Sequence, residues 1–139
     1  TLMKKILAFA GILALSITPT ASFSDHLEPK ESEIRPGGNL AHTNLRGADL
    51  RDANLSGADL SNANLSNANL SRADMNRADL NHADLTGANL NNANLRGADL
   101  SEANLNKAFL RGINATNLNG CPSSLPSGWI CKNNSLIQQ

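Results

Sequence analysis

An apolar residue returns at every fifth position through the middle of this chain. Leu40, Leu45, Leu50, Leu55, Leu60, Leu65 and Leu70 open the series. Met75 keeps the register, and Leu80, Leu85, Leu90, Leu95, Leu100, Leu105 and Leu110 complete it. Two residues ahead of each, alanine holds its place unbroken from Ala48 to Ala108, and Asn or Asp stands between the two from Asn39 to Asn104. A period of five suits neither regular element. On an α-helix five residues advance about 500°, which scatters the leucines around the axis. On a flat strand steps of five alternate faces. Asn at this density also opposes a helix. The pattern therefore demands a bend in every repeat.

Ala, Asn/Asp and Leu make a short extended piece in which Ala and Leu point inward and the polar residue points away. The next two residues must turn the chain, giving a four-residue turn Leu-x-x-Ala. Its third position needs Gly or Asn if φ is positive. Gly47, Gly57, Gly87, Gly97, Gly112, Asn62, Asn67 and Asn92 meet that requirement and predict type II turns; residues such as Arg72 and Arg77 predict type I instead. Four near-right-angle turns close a square coil of 20 residues. The shortage of aromatics (Phe9, Phe23, Phe109 and Trp129, with no Tyr) fits a narrow, Leu-filled interior rather than an ordinary globular core.

The run Ala-Asp-Leu-Arg-Asp-Ala-Asn-Leu-Ser-Gly at 48–57 and its continuations resemble the pentapeptide-repeat family, whose pattern is A-(D/N)-L-x-x. The match covers about 38–112. It implies an all-β fold, a right-handed quadrilateral β-helix. Fifteen repeats make about four coils, on the order of 20 Å tall at ~4.8 Å per layer. Leu45 to Leu110, with Met75, form the expected core, each Leu contributing roughly 1.5–3 kcal/mol. Leu70→Asp is expected to unfold the domain and Ser66→Asp is not. The register fails at Phe109, Ile113 and Ala115. A solenoid end needs a cover, and Trp129, Ile130, Leu136 and Ile137 are the expected one; Leu125-Pro126-Ser127-Gly128-Trp129 resembles tails of this family.

The flanks divide the chain further. Lys4 and Lys5, an apolar run from Ile6 to Ile17 and a small-residue exit through Ser24 read as a signal peptide at 1–24, cleaved after Ser24 or Ser22. Translation is expected to begin at Met3. The run falls short of the ~20 residues of a membrane span, and no cysteine near the exit marks a lipoprotein. A flexible lead-in is expected at 25–37, with Ile34 helping to cover the first coil, then the solenoid at 38–118 and a cap at 119–139. Cys121 and Cys131 are expected to form a disulfide in an exported protein. Two thiols without a nearby histidine make a poor zinc site.

Chemistry on the outside is sparse. Asp59, Asp79 and Asp99 stack as an acidic ladder that would either hold a cation or form a solvated stripe relieved by Arg77 or proton uptake. His42 and His82 fall two coils apart, too far for joint ligation. The outward serines have no paired histidine, and no Gly-rich phosphate loop occurs. No cofactor, metal or catalytic residue is expected. The 12 basic and 12 acidic side chains balance, so neither nucleic acid nor an anionic membrane is an expected partner, and no stable membrane insertion is expected after cleavage. The leading expectation is an exported bacterial scaffold, periplasmic or extracellular, that binds a protein partner. The family resemblance also implies a second reading, mimicry of duplex DNA toward a topoisomerase. Against it, the repeats carry eight acidic residues facing seven basic ones, the rod is short, and export removes it from gyrase. A polysaccharide-active β-helix enzyme would need loop excursions, and 43–112 has none.

Overall fold

The structure, a computed structural model, describes residues 6–9, 12–15 and 31–139. At the start, β1 (Ile6–Phe9) pairs antiparallel with β2 (Ile12–Leu15), Ile6 opposite Leu15 and Phe9 opposite Ile12. The proposed signal-peptide exit at 16–24 and the lead-in as far as residue 30 lie outside the described residues. From Glu31 the lead-in is folded. A 3₁₀ turn spans Glu31–Glu33, Ile34 is buried in the core, and the Gly37 amide donates to the Ser56 carbonyl. A Cβ at Gly38 would collide with the Glu33 carbonyl, so only glycine lets the 3₁₀ turn lie against the coil.

From Asn39 onward the chain winds with a 20-residue period. Parallel bridges join Asn39 to Asp59, Asp59 to Asp79 and Asp79 to Asp99, and likewise Asn44 to Asn64, Asp49 to Asn69 and Asn54 to Asp74, each column continuing downward. Each side contributes two axial bonds. The Leu45 amide donates to Asn64 O at 2.7 Å and the Asn64 amide to Thr43 O at 2.9 Å, and the same pair recurs around the coil. Side chains then alternate as an extended segment requires. Every Leu from 40 to 105, with Met75, is fully enclosed, and the alanines line the same interior. Thr43 stands in an alanine slot and remains satisfied inside because its Oγ1 donates to Leu40 O at 2.6 Å.

The turns depart from the sequence expectation. Arg72 and Arg77 have φ of 59° and 57°, and His42, Asp52, His82, Glu102 and Lys107 also lie in the left-handed region, as the turn glycines and asparagines do. A type I turn has negative φ at its third residue, so none of these turns is type I. The reason is axial. At the corners from His42 to Gly97 the third residue's amide donates to the coil below, as Gly47 to Ser66 O, Asp52 to Ser71 O, Arg72 to Asn91 O and Arg77 to Arg96 O at 2.9–3.1 Å. At the Glu102 and Lys107 corners Ser101 O and Asn106 O accept from the coil above. Types I and II differ by a flip of the central peptide, so one type I corner in the stack would turn a donor and an acceptor away from both neighbours. Left-handed φ costs a non-glycine residue roughly 1–2 kcal/mol; two buried peptide groups left unsatisfied would cost more.

Below Leu110 the pattern loosens. Ala115 and Leu118 are still buried, but Ile113, in an alanine slot, is only partly so. The chain ends in β3 (Trp129–Lys132) paired antiparallel with β4 (Ser135–Gln138), Cys131 opposite Leu136. Cys121 and Cys131 are joined by a disulfide with Cα atoms 6.0 Å apart. Of the four residues expected as the cover, Leu136 is buried, and Trp129 packs against the core together with Leu125 and Cys131. Ile137 is a correction: it is 41% exposed. Trp129, Cys131 and Leu136 share one face of the hairpin, and strand alternation places Ile130 and Ile137, which stand opposite each other, on the other. Among the described residues no helix is long and apolar enough to cross a membrane.

Candidate interaction surface

The outer surface is built from the polar residue of each side and the two residues of each corner. The polar residue does more than face water. At all fourteen positions from Asn39 to Asn104, its Oδ1 accepts the amide of the residue two further on, at 2.9–3.3 Å. This is an Asx turn. It explains why Asn and Asp interchange there, since both offer the same oxygen. The interchange was the legible signal, and sequence reasoning that treated the residue only as outward-facing missed it.

Serines on the corners are tied into the same caps. Ser56, Ser61, Ser66 and Ser71 donate their hydroxyls to Oδ1 of Asn54, Asp59, Asn64 and Asn69 at 2.6–2.8 Å. Their hydroxyl protons are thus held by a neighbouring amide or carboxylate, with no imidazole taking part. Ser66 also corrects an expectation: it is only 5% exposed, enclosed by the stacked corner, so it is no neutral site for a carboxylate.

Asp59, Asp79 and Asp99 lie in one column as expected, bridged successively. Each carboxylate is occupied as a cap, accepting the amides of Ser61, Asn81 and Ser101 at 2.9–3.0 Å. At Asp99 the Ser101 hydroxyl holds the carboxyl below its ordinary value, with the Ser101 amide and the Asn81 side chain assisting against the opposing effect of burial. The lowest member of the ladder therefore favours its charged form instead of taking up a proton. Among the described residues no group of three or more His, Cys, Asp or Glu is arranged to hold a metal ion.

The arginines divide by corner. Arg51 forms a forked pair with Asp49, Nε–Oδ1 at 2.8 Å and Nη2–Oδ2 at 2.7 Å. Arg72 forms another with Asp52 of the coil above, at 2.7 and 2.9 Å. The hydrogen bond from Arg72 pulls the Asp52 carboxyl below its usual range. Arg51 and Arg72 are thus both neutralised by neighbouring carboxylates. On the next corner Arg77 and Arg96 make no ion pair among the described residues. They line a recess of about 280 Å³ with Asn76, Gly97 and Asn117.

Known proteins place this geometry. The family profile described as "Pentapeptide repeats (8 copies)" matches residues 39–77 and again 78–120. Among solved structures, the chain is similar to alr5209, a pentapeptide repeat protein from Nostoc PCC 7120. The two are 36% identical over 66% of this chain and 77% of that one, with a TM-score of 0.60. It is also similar to Rfr23, a pentapeptide repeat protein from the cyanobacterium Cyanothece 51142, at 30% identity over 78% of this chain and 71% of that one, with a TM-score of 0.39. QnrB1, a plasmid-mediated fluoroquinolone resistance protein, shares the fold at 17% identity, covering 74% of this chain and 45% of its own, with a TM-score of 0.54. No curated protein sequence matches the chain. The chain belongs to the pentapeptide-repeat family, and its coils are those of that family's right-handed β-helix.

Proposed function

We propose that this protein is an exported, non-catalytic scaffold that binds a protein partner. The observation that carries the reading is the commitment of the outer polar groups to the fold. The Asn and Asp side chains cap their own corners, and four of the corner serines donate to those caps. What faces outward is a rigid, repetitive relief, suited to surface recognition more than to bond chemistry. About four coils at 38–118 form the rod, and residues 119–139, closed by the Cys121–Cys131 disulfide, cap its lower end. Residues 1–24 direct export, to the periplasm or the medium. Two features support the compartment: the basic start and apolar run at Lys4 to Ile17, and a disulfide, which persists in oxidising surroundings.

The test is intact-mass spectrometry, with and without reductant, on protein from fractionated source cells. A chain starting near Asp25, lighter by about two hydrogens before reduction and found outside the cytoplasm, is the expected result. An uncleaved, reduced, cytoplasmic chain would overturn export. It would also reopen DNA mimicry, which a gyrase supercoiling assay would then decide. The surface argues against mimicry, because Asp49 and Asp52 are paired with arginines and the Asp59–Asp79–Asp99 carboxylates are engaged as caps.

A further inference from the structure

We propose that the corner formed by Asn76, Arg77, Arg96, Gly97 and Asn117 is a binding site for a small oxyanion, a phosphate or a carboxylate. Stepping down the coil, the first residues of this corner's turns are Ser56, Asn76, Arg96 and Thr116, and the second are Gly57, Arg77, Gly97 and Asn117. None is acidic. Arg51 and Arg72, on the preceding corner, are each held by a carboxylate, Asp49 and Asp52, in two forked pairs. Here two arginines line one recess, and no carboxylate lines it with them.

The backbone brings them together. Arg77 is the third residue of its turn and Arg96 the second residue of the turn below, and the Arg77 amide donates directly to the Arg96 carbonyl at 2.9 Å. Gly97 lies under Arg77. A Cβ there would stand 3.3 Å from Arg77 Cγ and 3.9 Å from the Asn117 carbonyl, so glycine keeps the recess open between the coils. The carboxylates nearest along the chain all serve as caps: Asp74 Oδ1 accepts the Asn76 amide at 3.0 Å and the Asn94 side-chain amide at 3.1 Å, and Asp79 and Asp99 accept the Asn81 and Ser101 amides at 2.9 Å.

Guanidinium groups present planar forks of donors that match the paired oxygens of carboxylate and phosphate. Asn76 and Asn117 also line the recess, and their side chains carry neutral amide donors. At about 280 Å³ the recess has room for an anion of a few heavy atoms. With the whole chain balanced in charge, capture rests on these local donors and not on long-range attraction. This site does not depend on the compartment or on the scaffold reading.

The experiment is a two-dimensional NMR titration of the full, isotope-labelled chain at neutral pH and fixed ionic strength, with inorganic phosphate in one arm and acetate in the other. Saturating shifts of the Arg77 and Arg96 Nε–H signals and of the Gly97 amide are expected. Signals of Arg46 and Arg111 should move only weakly and linearly. Arg96→Gln should weaken binding about tenfold, the scale of one charge-assisted hydrogen bond, while the backbone spectrum away from the corner stays unchanged. Arg46→Gln should change nothing. Saturation by either anion supports the site and identifies which oxyanion it prefers. Shifts that grow linearly and equally at all four arginines in both arms would overturn it, as would an Arg96→Gln variant that is folded and binds as before. Arg77→Gln gives the same reading if Arg96→Gln does not fold.

Discussion

The coils between Leu40 and Leu110 and the tail after Ile113 are held by different means. In the coils the sides repeat the same axial peptide bonds, and the corners from His42 to Gly97 each add another to the coil below. The backbone ladder is continuous, so it dictates even unfavourable choices, such as arginine and histidine at positive φ. In the tail the ladder runs on in part, through Asn114 to Ala93 O, Asn119 to Ala98 O and Ser123 to Ala103 O, and the last turns are tied by Leu118 to Asn134 O and Leu136 to Ala115 O. Side chains and the Cys121–Cys131 bond take over. A repeat thus stabilises by summing identical neighbours, whereas its end depends on a few particular residues.

The comparison predicts unequal damage. Leu70 is fully enclosed in the middle of the rod, and an ionised carboxylate there has no partner and a large burial penalty. Leu70→Asp should therefore abolish cooperative folding, while Asn106→Asp, on an exposed corner, should melt within about 0.5 kcal/mol of the parent. Comparable melting of the two would sink the inward assignment of the leucines. In the tail, Leu136→Ala should cost about 2–4 kcal/mol because Leu136 is the one buried side chain of the β3–β4 hairpin. Amide exchange should then accelerate mainly after Ile113. Uniform acceleration through the coils would mean that the end is not a separable region.

Reduction of the Cys121–Cys131 disulfide, whose cysteines are 10 residues apart, should cost less, about 2–3 kcal/mol. Limited proteolysis of reduced protein should cut first between Gly120 and Gln139. Cleavage first within 40–110 would show that the two regions are coupled more tightly than their bonding indicates.

Much of the rod was legible because its period is incompatible with any other regular structure. The enclosed leucines, the alanine lining and the 20-residue offset follow from spacing alone. The conformation of the corners was not legible from residue preference, because the ladder that overrides preference is a contact between residues 19 apart, such as Arg72 and Asn91. The cover was half legible. Hydrophobicity picked out Trp129 and Leu136 but could not tell them from Ile137, since facing depends on the hairpin register. The Arg77–Arg96 recess was hidden for the same reason. In sequence the two arginines resemble Arg51 and Arg72, and only the fold shows which of the four have carboxylates to hold.

The left-handed corners offer a finer test. His82 has φ of 58°, a conformation that glycine adopts without steric cost. His82→Gly relieves roughly 1–2 kcal/mol of backbone strain and adds an unfolded-state cost of roughly 0.5–1 kcal/mol. The variant should be more stable, by up to about 1.5 kcal/mol, in thermal or urea melts. A destabilised variant would show that the corner is less strained than its φ indicates.

The smallest expected effect is electrostatic and separates the acidic ladder from the rest of the surface. Asp99 and Asp52 have carboxyl groups held below their ordinary 3.8 in the folded protein. A depressed folded value means that the unfolded chain binds protons first as the pH falls, so the stabilisation is present above about pH 4 and is lost on acidification through the folded value. Stability should be flat near neutrality and decline below pH ~4. Asp99→Asn keeps the Oδ1 that accepts the Ser101 amide but removes the titrating group. Its melting temperature should therefore fall less steeply with acid than the parent's. An unchanged slope would mean that the charge on Asp99 contributes nothing to the fold beyond the cap that any Asn at that position supplies.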